Sequence, residues 1–170
     1  MWPVGPDRLG CPALSVAVSS ERATELIGII LVILQFALLA VLGWQVVTIA
    51  TGSIAIYCLV PLLGGVLLGL WAVSANRPGN FNIRPVPKSG GKLIEHGPYR
   101  VIRHPMYLAL IVVGLAAALA SMQTVSWISW AALAAVLTAK AILEERALLR
   151  QVPEYKRYWA RTWRFFPGLF

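Results

Sequence analysis

The sequence predicts an all-α, polytopic membrane helix bundle of about four transmembrane helices, with a cytoplasmic loop and an interfacial C-terminal helix. Three observations carry this. Hydrophobic residues make up 58% of the 170 residues and charged residues only 13%, whereas soluble chains carry roughly a quarter charged residues. The mean hydropathy is +0.71, which leaves too little polar surface to cover a water-soluble globule and is too apolar for a disordered chain. The apolar residues also gather into long uncharged runs rather than alternating with polar ones. The length is that of a single domain, 1–170.

The runs follow in order. Leu26 to Ala50 holds no charge, with Gln35 and Gln45 as its main polar interruptions. Ile54 to Ala75 is a second uncharged run in which Gly64, Gly65 and Gly69 offer close helix contacts. Both meet the roughly 20 residues needed to cross the hydrocarbon layer. Met106 to Met122 is shorter and rich in Ala and Gly, and Val125 to Leu143 is interrupted only by Lys140, placed where a lysine can snorkel. With only Gln123-Thr124 between them, these two form a helical hairpin. After Gln151, Pro153 suits the first turn of a new helix. There Tyr155, Tyr158, Trp159, Thr162, Trp163 and Phe166 recur at helical spacing among Lys156, Arg157, Arg161 and Arg164, the pattern of a helix lying on headgroups.

Charge sets the orientation. Residues 1–75 net −1 and residues 76–170 net +9. The 76–105 segment carries Arg77, Arg84, Lys88, Lys92, Arg100 and Arg103 against Glu95 alone, and the tail after Leu143 carries six more basic residues. The opposite connections, Thr51-Gly52-Ser53 and Gln123-Thr124, are uncharged. The positive-inside rule therefore predicts both termini and the 76–105 loop in the cytoplasm. The basic half fits a membrane surface better than nucleic acid, so no nucleic-acid partner is expected. The loop itself opens on Asn76-Arg77-Pro78-Gly79-Asn80 and continues through Pro85, Pro87 and Ser89-Gly90-Gly91. Its length marks a functional segment or disorder. Cys11 and Cys58 form no CxxC or Cys/His cluster, which gives a disulfide framework or metal site no support. The first apolar run is too long for a signal-peptide core, and Pro167-Gly168-Leu169-Phe170 is no prenylation box.

Two clusters could do chemistry. In Arg103-His104-Pro105-Met106-Tyr107, Pro105 suits a first helical position, which puts His104 at or beside the N-cap. A helix N-terminus favours anions, and Arg100 and Arg103 stand alongside. The alternative is Arg103 on lipid phosphate and His104 as an ordinary cap. Glu144-Glu145 follows the fourth span at the same level. Neighbouring helical positions point about 100° apart, so one glutamate can face the bundle while the other faces elsewhere. The alternative pairs Glu144 with Lys140 in solvent. An anion site and a cation site together suit a zwitterionic ligand, such as a cofactor bearing an amino acid.

The run Leu93-Ile94-Glu95-His96-Gly97-Pro98-Tyr99-Arg100-Val101-Ile102-Arg103-His104-Pro105-Met106-Tyr107-Leu108 resembles the signature of the isoprenylcysteine carboxyl methyltransferase and phospholipid methyltransferase superfamily. Glu144-Glu145-Arg146-Ala147-Leu148-Leu149, Pro153-Glu154-Tyr155-Lys156-Arg157-Tyr158 and Arg164-Phe165-Phe166-Pro167 resemble its C-terminal pattern, so the likeness runs from about Asn82 to Pro167. The phospholipid N-methyltransferases are similar but carry Gly-x-Gly where Glu95-His96-Gly97 keeps one glycine, which shifts weight to the isoprenylcysteine-like or a broader bacterial branch.

The resemblance implies a membrane-embedded methyltransferase that uses S-adenosyl-L-methionine, releases S-adenosyl-L-homocysteine, and needs no metal. Residues 1–75 would supply the first two membrane helices and 76–170 the cofactor-binding and catalytic part. Carried over by position, Gly97, Pro98, Tyr99, Arg103, His104, Pro105, Tyr107, Glu144 and Glu145 would form the cofactor pocket, with Arg103, His104 and Glu145 as catalytic candidates. Arg100 or Arg103 would orient a carboxylate acceptor, and Glu145 or His104 would deprotonate an amine or thiol. The acceptor would be lipophilic or small, its apolar tail entering sideways from the bilayer. Two other readings stay open: an NADPH-dependent membrane reductase of the sterol-reductase type, and a non-catalytic membrane protein, for example a resistance or scaffold component, retaining the pocket.

Overall fold

The computed structural model describes residues 12–49, 56–76 and 93–168. Cys11, most of the basic loop (77–92, with its proline and glycine turns and four of its cations) and Thr51-Gly52-Ser53 lie outside the described residues. The architecture is all-α. Five α-helices occur among the described residues: α1 (Pro12–Ile49), α2 (Ile56–Ala75), α3 (Pro105–Ser121), α4 (Thr124–Gln151) and α5 (Tyr155–Arg161), with a short 3-10 turn over Gly97–Arg100 before α3.

Three of these contain stretches long and apolar enough to cross a membrane: Ala23–Thr48, Tyr57–Ala75 and Thr124–Gln151. Their large side chains face outward, Ile33, Phe36, Val60 and Leu67 among them, as a lipid solvent requires. The remaining expected span is present as α3, but with 17 residues and about 1.5 Å of rise per residue it falls short of a hydrocarbon core of about 30 Å. It is the helix the others surround, packing on α1, α2 and α4.

Close pairs give the helix directions. Gln35 of α1 meets Lys140 of α4, and seven residues later Leu42 clusters with Leu133 and Leu137, so the two run antiparallel. Met122 turns α3 into α4 from the left-handed region, its amide capping Ala118 O, and Trp130 Nε1 donates back to Ile111 O. The 3-10 turn packs on α2. The end of α2, the start of α3 and the end of α4 therefore share one face of the bundle.

The membrane glycines divide by contact. A Cβ on Gly65 would meet Val113 Cγ2 at 2.8 Å and the backbone at Ala109 O and Val113 N at 3.0 Å, so glycine is what lets α2 and α3 approach here. Gly69 has ordinary room beside Ala109 Cβ at 3.5 Å, while Gly64 faces open space and makes no close contact.

Three elements differ from expectation. Helix α1 begins at Pro12, well before Leu26. Helix α4 runs on to Gln151, past the end of the apolar run at Leu143, and Glu144 and Glu145 are helical as their spacing requires. The expected interfacial helix stops at Arg161. Thr162 is extended, and Trp163 forms a parallel bridge with Ile102. The amide of Trp163 donates to Val101 O (2.9 Å), and those of Arg103 and His104 donate to Trp163 O (2.7 Å) and Arg164 O (3.2 Å). These bonds to the chain before α3 replace the next turn of helix. Tyr155, Tyr158 and Thr162 turn inward, while Trp159, Trp163 and Phe166 remain exposed.

Gly65→Ala should separate α2 from α3 and cost about 1–3 kcal/mol, the usual range for overpacking. Gly64→Ala should be neutral or slightly stabilising, and thermal unfolding of the two variants in detergent compares them.

Candidate functional site

Pro105 starts α3, as its spacing predicts, with His104 at the N-cap position. Gly97 opens the 3-10 turn at φ +60, where a Cβ would lie 2.8 Å from Ala75 Cβ and 3.4 Å from Trp71 Nε1. Both the backbone conformation and the proximity of α2 therefore require glycine. Pro98 is buried and its carbonyl receives the amides of Val101 and Ile102. Tyr158 Oη donates to Tyr99 O at 2.7 Å, holding the turn against α5. Each piece serves to deliver Arg103 and His104 to the end of α4.

The glutamates separate as adjacent helical positions must. Glu145 is 3% exposed. Arg103 Nε donates to its Oε1 at 2.9 Å, and His104 Nε2 lies 3.2 Å from the same oxygen. Arg164 spans both oxygens, with Nε at 3.2 and 3.3 Å and Nη2 at 2.8 Å from Oε2. Glu144 has the more open side chain, 18% exposed against 4%. Tyr107 Oη donates to its Oε1 at 2.5 Å, and His104 Nδ1 lies 3.6 Å from its Oε2. The imidazole thus stands between the two carboxylates, stacked on the Tyr107 ring at 5.3 Å.

Arg103 is occupied by the chain itself. Besides Glu145, its Nη1 donates to the carbonyls of Trp159 (3.0 Å) and Thr162, and its guanidinium sits 5.5 Å over the Trp159 ring. The carbonyls of Trp163 and Arg164 receive the Arg103 and His104 amides. The position expected to hold a ligand's anion at the start of α3 is therefore lined by the C-terminal segment. Arg100 is exposed at the end of the 3-10 turn. Lys140 neither snorkels nor is solvated: it is 4% exposed, and its Nζ donates to Gln35 Oε1 at 3.2 Å.

Two neighbours fall outside the sequence-based site. Arg164 read as one of the cations of the interfacial helix and as part of the Arg164-Phe165-Phe166-Pro167 motif, and nothing in the spacing indicated that the chain turns back to bring it in. Tyr158 read as one of a surface stripe. Hydrogen bonds to Glu145 raise the pKa of Arg164, keeping it cationic. Burial, with the nearby Glu144 charge second, pushes the Tyr99 hydroxyl up to about 12, so it stays a neutral donor. Among the described residues, no group of three or more His, Cys, Asp and Glu could hold a metal ion.

A buried Arg–His–Glu centre beside a tyrosine-flanked glutamate, built where α3 begins and α4 ends, is the arrangement carried by the segment that matches a known family. Residues 55–151, more than half of the chain, match the isoprenylcysteine carboxyl methyltransferase (ICMT) family. The chain belongs to that family. The match takes in α2, the 3-10 turn, α3 and α4, and so contains Arg103, His104, Glu144 and Glu145. The ICMT-family chain is also 35% identical over 80 residues to the nickel-cobalt-cadmium resistance protein NccN of Alcaligenes xylosoxydans xylosoxydans, covering 46% of this chain and 37% of that protein. It thus spans well under half the length of this relative. No solved structure matches the chain.

Removing one partner from a buried ion cluster leaves uncompensated charge, typically at a cost of about 3–5 kcal/mol. In this ICMT-family protein Glu145→Gln should therefore lower the unfolding temperature much more than Glu144→Gln. It should also speed hydrogen exchange of the Arg103, His104 and Trp163 amides, which join the C-terminal segment to the start of α3.

Proposed function

We propose that the protein is an S-adenosylmethionine-dependent methyltransferase acting on a lipophilic acceptor at the cytoplasmic membrane face. The observation that carries this reading is the second glutamate. Glu145 is held by Arg103, His104 and Arg164, whereas Glu144 has the less buried side chain and accepts one hydrogen bond, from Tyr107, with His104 Nδ1 at 3.6 Å.

The donor set fits the cofactor at both ends. A carboxylate at the edge of the buried cluster suits a sulfonium or ammonium, which gains from the opposite charge. Arg164, 22% exposed at the side chain and still cationic, suits the amino-acid carboxylate. Arg103 acts from behind, fixing Glu145 and the C-terminal segment. Bound there, the cofactor would supply an activated methyl group on sulfur and depart as the thioether, so the chemical demand on the protein is alignment and exclusion of water.

What remains is the acceptor. An ionised carboxylate needs no base, only alignment with the methyl group. An amine or thiol must lose a proton, and Glu144 is the carboxylate with capacity to accept one, with His104 beside it to stabilise either state. The apolar outer faces of α2 and α4 suit an acceptor arriving from the bilayer. The charge distribution supports the cytoplasmic side: basic residues gather at the end of the bundle that carries the site.

A second reading is a membrane component of a metal-resistance system, favoured by the similarity to the nickel-cobalt-cadmium resistance protein NccN. Binding of labelled S-adenosylmethionine to detergent-purified protein separates the two, and saturable binding supports the methyltransferase. Glu144→Gln should weaken that binding at least about tenfold, the usual consequence of losing a charge partner in a closed site. Unchanged affinity would remove Glu144 from the cofactor's cationic end. A reporter fused after Phe170 should read as cytoplasmic; a periplasmic or luminal signal would reverse the orientation.

A further inference from the structure

Lys140 is a buried cation that the reaction as described does not use. It lies in the membrane-spanning part of α4, where an ammonium is expensive and usually functional. Four residues before Glu144, it shares that residue's helix face. Its Nζ nevertheless donates to Gln35 Oε1 of α1 at 3.2 Å and sits 5.0 Å from the centroid of the Tyr107 ring. Gln35 is itself 7% exposed, and Tyr107 Oη donates to Glu144 Oε1 at 2.5 Å.

These contacts form one line from α1 to the site: Gln35, Lys140, Tyr107, Glu144. We propose that Lys140, held by Gln35, is a positioning residue that fixes the Tyr107 ring and through it the Glu144 carboxylate. The role given to Glu144 rests on the methyltransferase reading, but the link from Lys140 to Tyr107 does not. A cation within about 6 Å of an aromatic centroid is attracted to the ring face, the more strongly where water is excluded. That attraction, with the His104 stack at 5.3 Å, leaves the ring little freedom, and a fixed ring fixes the direction of its hydroxyl. A neutral amide such as Gln35 suits this task. It satisfies the ammonium without cancelling its charge, whereas a carboxylate there would pair with Lys140 and draw it from the ring. Gln35 also lies outside the family-matched residues 55–151, so through this hydrogen bond α1 adds a polar contact to the site beside the apolar packing of Leu42 near Tyr107.

The test uses the full chain in detergent. With 3-fluorotyrosine at position 107 of the ligand-free protein, Lys140→Met should shift and broaden the fluorine resonance. Gln35→Leu should do so in the same direction, and Lys140→Arg should restore it. Gln35→Leu reads the same link if Lys140→Met does not fold. A resonance unmoved by loss of either residue overturns the proposal, whether or not the protein binds S-adenosylmethionine. If wild type does bind it, Lys140→Met should weaken affinity roughly tenfold, a coupling typical of touching groups. It should cause little further loss in a Tyr107→Phe background, where the hydroxyl is gone. Equal losses in both backgrounds would mean that Lys140 does not act through Tyr107 and would overturn the proposal. Absence of binding by wild type would refute the methyltransferase reading and leave the resonance to decide the link.

Discussion

One buried carboxylate organises the polar end of this bundle. Glu145 gathers Arg103 from the start of α3, Arg164 from the C-terminal segment and the His104 ring around two oxygens. In so apolar a chain such a group is tolerated only when nearly all its hydrogen-bonding capacity is met. That condition dictates the rest. The segment after α5 must turn back to deliver Arg164, and α3 must begin where Pro105 starts it so that Arg103 and His104 point at α4. The 3-10 turn must pass close to α2, which glycine at position 97 permits.

The same constraint separates two adjacent and chemically identical residues. Glu145 faces the cluster and is consumed by structure, while Glu144, a helical step of about 100° away, keeps a more open side chain against Tyr107. The neutral Tyr99 and Tyr107 hydroxyls can donate to Glu144 or to a ligand without adding charge. Helix α1 joins the arrangement from outside the family-matched segment through Gln35 and Lys140.

The membrane shapes the scaffold differently from the site. Among the described residues, α1, α2 and α4 expose large apolar side chains and bury little of their length, since lipid, not protein, is their solvent. Specific contact is concentrated where small residues allow it, at Gly65 against α3 and at Gly114, which sits close to Leu133, Trp130 and Leu42. Helix α3 is shorter than a full crossing and is protected by its three neighbours. Membership of the ICMT family fits this division, because the matched residues span the helices that build the site.

The sequence by itself determined the solvent, the helix count and the junctions. Long uncharged runs can only be membrane helices, because unpaired backbone groups are too costly in lipid, and Pro105 starts a helix because its fixed φ and missing N–H suit that position. It also placed Arg103, His104, Glu144 and Glu145 at one level, since each lies at the corresponding end of its span. Pairing was decided only by the tertiary structure. Nothing in spacing shows that Arg103 is taken up by Glu145 and two backbone carbonyls, that Arg164 returns to the cluster, or that Lys140 turns inward to Gln35 across 105 residues of sequence. Local pattern records which face of a helix is apolar. Which distant group meets a buried charge depends on where other helices lie, and that is fixed by the packing of the whole bundle.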